Sequence, residues 1–192
     1  EHVKKNRSTL HLIGLVSGGR VHAMDEHCHA LLKFAKEQGI KDVAVHAILD
    51  GRDTIYNAGI DFVTTLLATI KTAGVGKIAS MSGRFYAMDR DNHWERIELV
   101  YKAIAQGEAS EFFDDPIGAV QASYDKKVYD EEFVPVVIAK DHDSAVKLTA
   151  GDSCVFFNFR SDRGRELTKD FVLPAFEKFN RAYLKDLYFV TM

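Results

Sequence analysis

The chain has 192 residues, 46% hydrophobic and 28% charged, with a formal net charge of −3, which excludes a nucleic-acid coat, a polybasic membrane binder and an acidic disordered tail. A chain this long can bury a sizeable core, as one large domain or two small ones. Two cysteines without C-x-x-C spacing, no apolar signal core in EHVKKNRSTLH and no apolar run near the roughly 18 residues a membrane span needs point to a reducing, cytoplasmic setting.

Short apolar runs alternate with longer amphipathic stretches. Residues 10–17 (LHLIGLVS) read as a strand, followed by a helix over 24–38 closed by Gly39. A strand over 42–49 (DVAVHAIL) leads to a helix over 57–73 closed by Gly74, and a strand over 77–82 (KIASMS) to a helix over 92–106 closed by Gly107. Glycine just past the last periodic residue is the expected helix stop, because it enters the left-handed region without penalty. Asn92 with Glu95 three residues on has the form of a capping box. Then come a helix over 116–126, a short strand near 134–138, a strand over 152–159 (DSCVFFNF), a helix from about residue 161 and a strand-like run over 187–192. The alternation implies an α/β fold: a mostly parallel central sheet, right-handed crossovers and helices on both faces. The final apolar run fits either a strand docked at a sheet edge or a piece of a longer polypeptide, and composition does not separate the two.

Arginine placement carries the chemistry. Of ten arginines, seven lie in four loops that follow predicted strands: Arg20 in SGGRVH, Arg52 in DGRDT, Arg84 and Arg90 in SGRFYAMDRD, and Arg160, Arg163 and Arg165 in RSDRGR. None of the fifteen lysines falls there. A planar guanidinium fork matches carboxylate and phosphate oxygens in pairs, whereas an ammonium is a mobile point charge. In an open parallel sheet the loops after the strands share one edge, where ligands bind. Four such loops predict a crevice for a small anion carrying phosphate and carboxylate.

The same loops hold Asp50, Asp53, Asp89, Asp91, Asp162 and His22, so an ionised Asp can orient or deprotonate a substrate hydroxyl and a His can serve as its hydrogen-bonding partner. Arg165, one helical turn beyond its loop, is expected to point to solvent, and Arg20 in a glycine loop can swing away. Asp50 also fits a plain brace of the DGRDT turn. The run Asp25-Glu26-His27-Cys28-His29 looks metal-like, but His27 and His29 do not share a helical face, so no metal site is expected. Cys28 and Cys154 read as small buried residues, and Phe85, Tyr86 and Trp94 as core or pocket wall. Neither the P-loop, the G-x-G-x-x-G nor the G-x-S-x-G motif occurs. Anion clamps and an acid/base without a nucleophile make half of a phosphoryl transfer.

The segments VSGGRVH, HAILDGRDT, KIASMSGRFYAMDRDNHWER and FFNFRSDRGRELT, in order over nearly the whole chain, resemble the corresponding motifs of cofactor-independent (2,3-bisphosphoglycerate-independent) phosphoglycerate mutases. The family has an alkaline-phosphatase-like domain, with two manganese ions and a nucleophilic serine, and an inserted phosphotransferase domain. The resemblance implies that residues 1–192 are the inserted domain alone, cut from its two-domain enzyme, holding no metal and inactive by itself. It implies interconversion of 3-phosphoglycerate and 2-phosphoglycerate, in glycolysis and gluconeogenesis, through a phosphoserine in the other domain. By motif position His22, Arg52, Asp53, Arg84, Arg90, Arg160 and Arg163 are its substrate-binding residues. Arg52, Arg84 and Arg90 would hold glycerate and its carboxylate, and Arg160 and Arg163 would face the phosphoryl group. Asp53 would exchange a proton with the hydroxyls, and His22 would contact substrate near the transferring group. The implied partners are phosphoglycerate and the phosphatase-like domain, in a monomer that binds neither nucleic acid nor membrane. The first loop departs from the usual S-D-G-G-V-H-S, because Gly18 replaces the Asp, Arg20 a Gly and Ala23 the Ser. Two rival readings are a stand-alone module that binds phosphorylated acids without turnover and an interaction domain that grips an acidic protein.

Overall fold

Three consecutive strands, β1 (Leu10–Leu15), β2 (Val43–Leu49) and β3 (Lys77–Gly83), are buried almost without interruption. Such runs, apolar on both faces, need cover on both faces of a sheet. A computed structural model, which describes residues Glu1–Met192, supplies that cover. A seven-stranded sheet runs in the order β4-β5-β3-β2-β1-β6-β7, adding β4 (Phe112–Phe113), β5 (Val136–Ile138), β6 (Ser153–Phe156) and β7 (Tyr188–Thr191). Strands β1, β2, β3, β6 and β7 are parallel; β5 pairs antiparallel to β3 and carries β4 parallel to itself at the edge.

The connections from β1 to β2 to β3 step one way along the sheet and that from β6 to β7 steps the other way. Right-handed crossovers therefore place α2 (Asp25–Glu37) and α3 (Gly59–Ala73) on one face and α7 (Arg165–Val172) on the other. The packing agrees: α3 lies against α2 and α6 (Pro116–Asp125), and α7 lies against α5 (Trp94–Tyr101). The direction changes between β1 and β6, which opens a crevice beyond their C-terminal ends. Two short helices complete the chain: α1 (His2–Asn6), and α4 (Arg84–Ala87) at the end of β3.

The glycine stops hold, with Gly74 and Gly107 in the left-handed conformation at φ 66° and 65°. The Asn92 capping box does not form. Asn92 itself is left-handed at φ 66°, and α5 begins at Trp94. Asp89 takes over, accepting from the Asp91 and His93 N–H groups at 2.9 and 3.0 Å, while the Asn92 N–H donates to Glu166 Oε1 at 3.0 Å. A buried carboxylate from the preceding loop outcompetes the local side chain. Helix α5 then passes into a π-helical turn, Lys102–Gln106, and α7 starts at Arg165, four residues later than the periodicity suggests. Helix α6 begins with Pro116 behind Asp115, whose carboxylate accepts from the Ile117 and Gly118 N–H groups.

One polar chain crosses the apolar sheet. His46 Nδ1 lies 2.7 Å from Ser80 Oγ, His46 Nε2 lies 2.9 Å from His11 Nδ1, and His11 Nε2 faces Asp152 Oδ2 at 3.4 Å. Ser80 can donate to His46 and His46 to His11, with the His11 Nε2 edge turned toward the Asp152 carboxylate. Burial, and then the neighbouring His11, keep His46 well below the ordinary histidine range, so it stays uncharged in the fold. Below about pH 6.5 the unfolded chain takes up a proton at this position that the folded one does not. Stability is therefore lost as pH falls through that value. The wild type should lose up to about 1.4 kcal/mol per pH unit more than His46→Gln between pH 6.5 and 5, measured by urea unfolding. Parallel profiles for the two proteins would refute the assignment.

Candidate functional site: a cationic crevice at the end of the sheet

The loops after β1 and β6 are stitched together by backbone. Phe157 N–H donates to the Ile13 carbonyl at 2.9 Å, and the N–H groups of Phe159 and Arg160 donate to the His22 carbonyl at 2.9 and 3.3 Å. Asn158 Oδ1 accepts from the Leu15 N–H at 2.9 Å. The imidazole of His22 and the RSDR segment therefore come from one rim.

The loop after β2 is organised by Asp50. Its Oδ2 accepts from the Ser17 hydroxyl at 2.6 Å, and its Oδ1 accepts from the Arg52 and Asp53 N–H groups and from Arg84 Nη1 at 2.7 Å. Burial pushes this carboxyl up, but the bonds from Ser17, the Asp53 N–H and Arg84 outweigh it and hold it below the usual range. The same Arg84 nitrogen reaches Asp53 Oδ2 at 2.5 Å. Burial acts against the charge on Arg84, and its two carboxylates restore it. Gly19 closes the arrangement: a Cβ there would stand 2.9 Å from Asp53 Cβ and 3.0 Å from Asp50 Oδ2.

His22 sits between two carboxylates without a close hydrogen bond to either. Its Nε2 is 4.0 Å from Asp53 Oδ2 and its Nδ1 3.7 Å from Asp162 Oδ1. Burial first, and then Arg84, lower its pKa, so the ring is neutral at neutral pH. Asp162 gathers the outer arginines: Arg160 Nε is 2.9 Å from Oδ1, and Arg90 Nη1 3.2 Å from Oδ2. Arg163 Nη1 donates to the Met88 carbonyl at 3.0 Å. Its pKa is lowered by burial and then by the charges of Arg90, Arg84 and Arg52. Five guanidiniums held against the four carboxylates of Asp50, Asp53, Asp162 and Glu131, with Arg163 paired to none, leave a place where an anion is favoured.

The structure thus brings His22, Asp53, Arg84, Arg90, Arg160, Arg163 and Asp162 to one rim. Arg52 stands at its margin, paired with Glu131 Oε1 at 3.1 Å. Arg165 is exposed on α7. Arg20 is exposed at φ 58°, with Glu26 3.9 Å away, and Asp91 is exposed as well. Asp50 is the turn brace that its Asp-Gly context suggests, with a buried ion pair added. Asp89 binds His93 and Arg96 and supports the loop rather than facing the crevice. Phe85 carries the Arg96 guanidinium 3.9 Å over its ring, and Tyr86 and Trp94 pack against the core. Cys28 and Cys154 are buried, and burial, with Asp25 adding to it, pushes the Cys28 thiol up to about 12. The sequence pattern gives Glu131 and Asn158 no role, because each acts on a partner remote in sequence, Arg52 for Glu131 and the Leu15 N–H for Asn158.

These features define an α/β protein with a cationic crevice at the open end of a mostly parallel sheet. Comparison with known proteins makes this more specific. The family model described as BPG-independent PGAM N-terminus matches residues 1–192, and the chain belongs to that family. It is 46% identical over 184 residues to a 2,3-bisphosphoglycerate-independent phosphoglycerate mutase of Clostridium perfringens strain 13, covering 96% of this chain and 36% of that protein. A protein of the same name from Listeria monocytogenes serotype 4b is 45% identical over 193 aligned positions, covering 100% of this chain and 38% of its own length. The crystal structure of Leishmania mexicana phosphoglycerate mutase at low cobalt concentration superposes with a TM-score of 0.90 at 32% identity, covering 96% of this chain and 35% of that one. The chain thus spans little more than a third of the relatives it matches.

Arg84 and Asp50 are both nearly inaccessible. Removing one partner of such a pair strands a buried charge, at a typical cost of about 3–5 kcal/mol. Arg84→Met should therefore lower unfolding stability by roughly 3 kcal/mol in chemical denaturation. A loss below about 1 kcal/mol, the value typical of an exposed pair, would show that the pair does not brace the site.

Proposed function

We propose that this chain is the substrate-holding phosphotransferase part of a 2,3-bisphosphoglycerate-independent phosphoglycerate mutase, interconverting 3-phosphoglycerate and 2-phosphoglycerate. The observation that carries the reading is Asp53, a partly accessible carboxylate fixed by buried Arg84 at 2.5 Å and facing neutral His22, inside a ring of guanidiniums. Moving a phosphoryl group between neighbouring hydroxyls leaves the proton count unchanged. The hydroxyl that accepts the group loses a proton and the hydroxyl that releases it gains one, so a single carboxylate can serve both halves. Meanwhile the dephosphorylated glycerate must stay bound and turn, which a clamp on its carboxylate allows. In this reading Arg52, Arg84 and Arg90 hold glycerate, Arg160 and Arg163 face the phosphoryl group, Asp53 exchanges the proton and His22 contacts substrate beside the transferring group.

The nucleophile of the transfer is assigned to an alkaline-phosphatase-like domain outside this chain, as are two manganese ions. The residues of this chain do not fit a manganese pair, since no three His, Cys, Asp or Glu side chains are grouped to hold a metal. The reading places the protein in glycolysis and gluconeogenesis, as a cytoplasmic monomer of two domains. A binding module without turnover would share the crevice but would stay silent when joined to the phosphatase-like domain.

In the full-length enzyme Asp53→Asn should reduce turnover by at least about 10²-fold while leaving the unfolding transition in place. Near-wild-type rates would exclude Asp53 as the proton carrier. The isolated chain should bind 3-phosphoglycerate in calorimetry, and the absence of heat at millimolar ligand would favour an interaction domain instead.

A further inference from the structure

Arg52 stands at the margin of the crevice with a single side-chain partner. Its side chain is 59% exposed and leaves the turn directly after Gly51. Its one partner is Glu131, reached through Nη1 at 3.1 Å, so Nε and Nη2 remain free on the open side of the fork.

Glu131 lies in a three-residue 3-10 turn, Asp130–Glu132, built into the end of the sheet from several sides. The Asp130 N–H donates to the Tyr56 carbonyl at 3.1 Å, and the Gly83 N–H donates to the Phe133 carbonyl at 2.7 Å. The Asp130 carboxylate accepts from the Gly59 N–H at 2.8 Å and from the Tyr124 hydroxyl. A Cβ on Gly51 would stand 2.7 Å from the Glu131 nitrogen, so the DGRD turn lies flat on the 3-10 turn only because residue 51 is glycine. Glu131 is itself only 27% exposed. A short side chain on a fixed backbone therefore meets a long, exposed one.

Resting on the functional reading above, we propose that Glu131 is a positioning residue that holds the Arg52 guanidinium at the margin of the crevice, with its free edge presented to the carboxylate of the incoming phosphoglycerate. An arginine loses much rotamer freedom when it clamps a ligand, and a partner that restricts it beforehand removes part of that cost. One nitrogen suffices for the restraint, which leaves a bidentate edge for the ligand. Because the clamp acts on bound glycerate throughout the reaction, the effect belongs to binding more than to the chemical step.

The test uses the full-length enzyme with 3-phosphoglycerate. Glu131→Ala should raise KM about tenfold with kcat within about twofold, and Glu131→Gln, which keeps an acceptor for Nη1, should recover part of the loss. In calorimetric titrations the same substitution placed on Arg52→Ala should cost nothing further, since its effect runs through Arg52. Thermal unfolding identifies any variant that fails to fold, and the Gln variant then carries the test. Unchanged or tighter binding in Glu131→Ala or Glu131→Gln would overturn the proposal, tighter binding meaning that Glu131 competes with the ligand. Equal losses with and without Arg52 would overturn it too, by showing a purely structural role. A wild-type enzyme that neither binds nor turns over 3-phosphoglycerate would instead refute the functional reading, and the positioning role with it.

Discussion

The Arg84 guanidinium, held by Asp50 and Asp53 through one nitrogen, is the interaction on which the rest of the crevice depends. It joins the ends of β2 and β3, two strands that are otherwise almost wholly buried. A buried cation between two carboxylates is costly to assemble and more costly to break, because either partner left alone carries an uncompensated charge. That asymmetry makes it a locating device. Asp50, satisfied by Ser17, by two backbone N–H groups and by Arg84, has no freedom left, and Asp53 takes its direction from the same guanidinium.

Around this centre the charges are arranged so that carboxylates of the protein occupy places an anion can take or share. Asp162 draws Arg160 and Arg90 together, and Glu131 restrains Arg52. The outer pairs are half exposed, where an ion pair is worth little and exchanges readily. The inner pair is buried. A rigid base with adjustable clamps suits the retained and turning glycerate of the proposed function.

The scaffold has a corresponding division. Away from the crevice, His11, His46 and Ser80 form a buried chain across β1, β2 and β3 that faces Asp152 just before β6. At the other end the 3-10 turn around Asp130 supports the loops that carry Arg52 and Arg84. Burial raises the Asp130 carboxyl to about 6, although the Tyr124 hydroxyl and the Gly59 N–H favour its charged form. Its pH dependence is opposite in sign to that of His46, because a raised carboxyl pKa contributes stability below the unfolded value that is lost as pH rises through 6.

Local sequence by itself determined the order of the main strands and helices, the helix stops and the edge on which the arginines gather, but not the short elements α1, α4, β4 and the 3-10 turn. Apolar periodicity, glycine's access to positive φ and the shared polarity of parallel strands act over a few residues or follow from topology rules. It failed at the Asn92 cap, where the buried Asp89 carboxylate and Glu166, 74 residues away, took the N–H groups instead. Only the tertiary structure decided which carboxylate restrains which arginine. Arg52 meets Glu131 across 79 residues and Arg90 meets Asp162 across 72. Those partners are chosen by how crossovers stack the loops, and no local pattern encodes a distance set by packing.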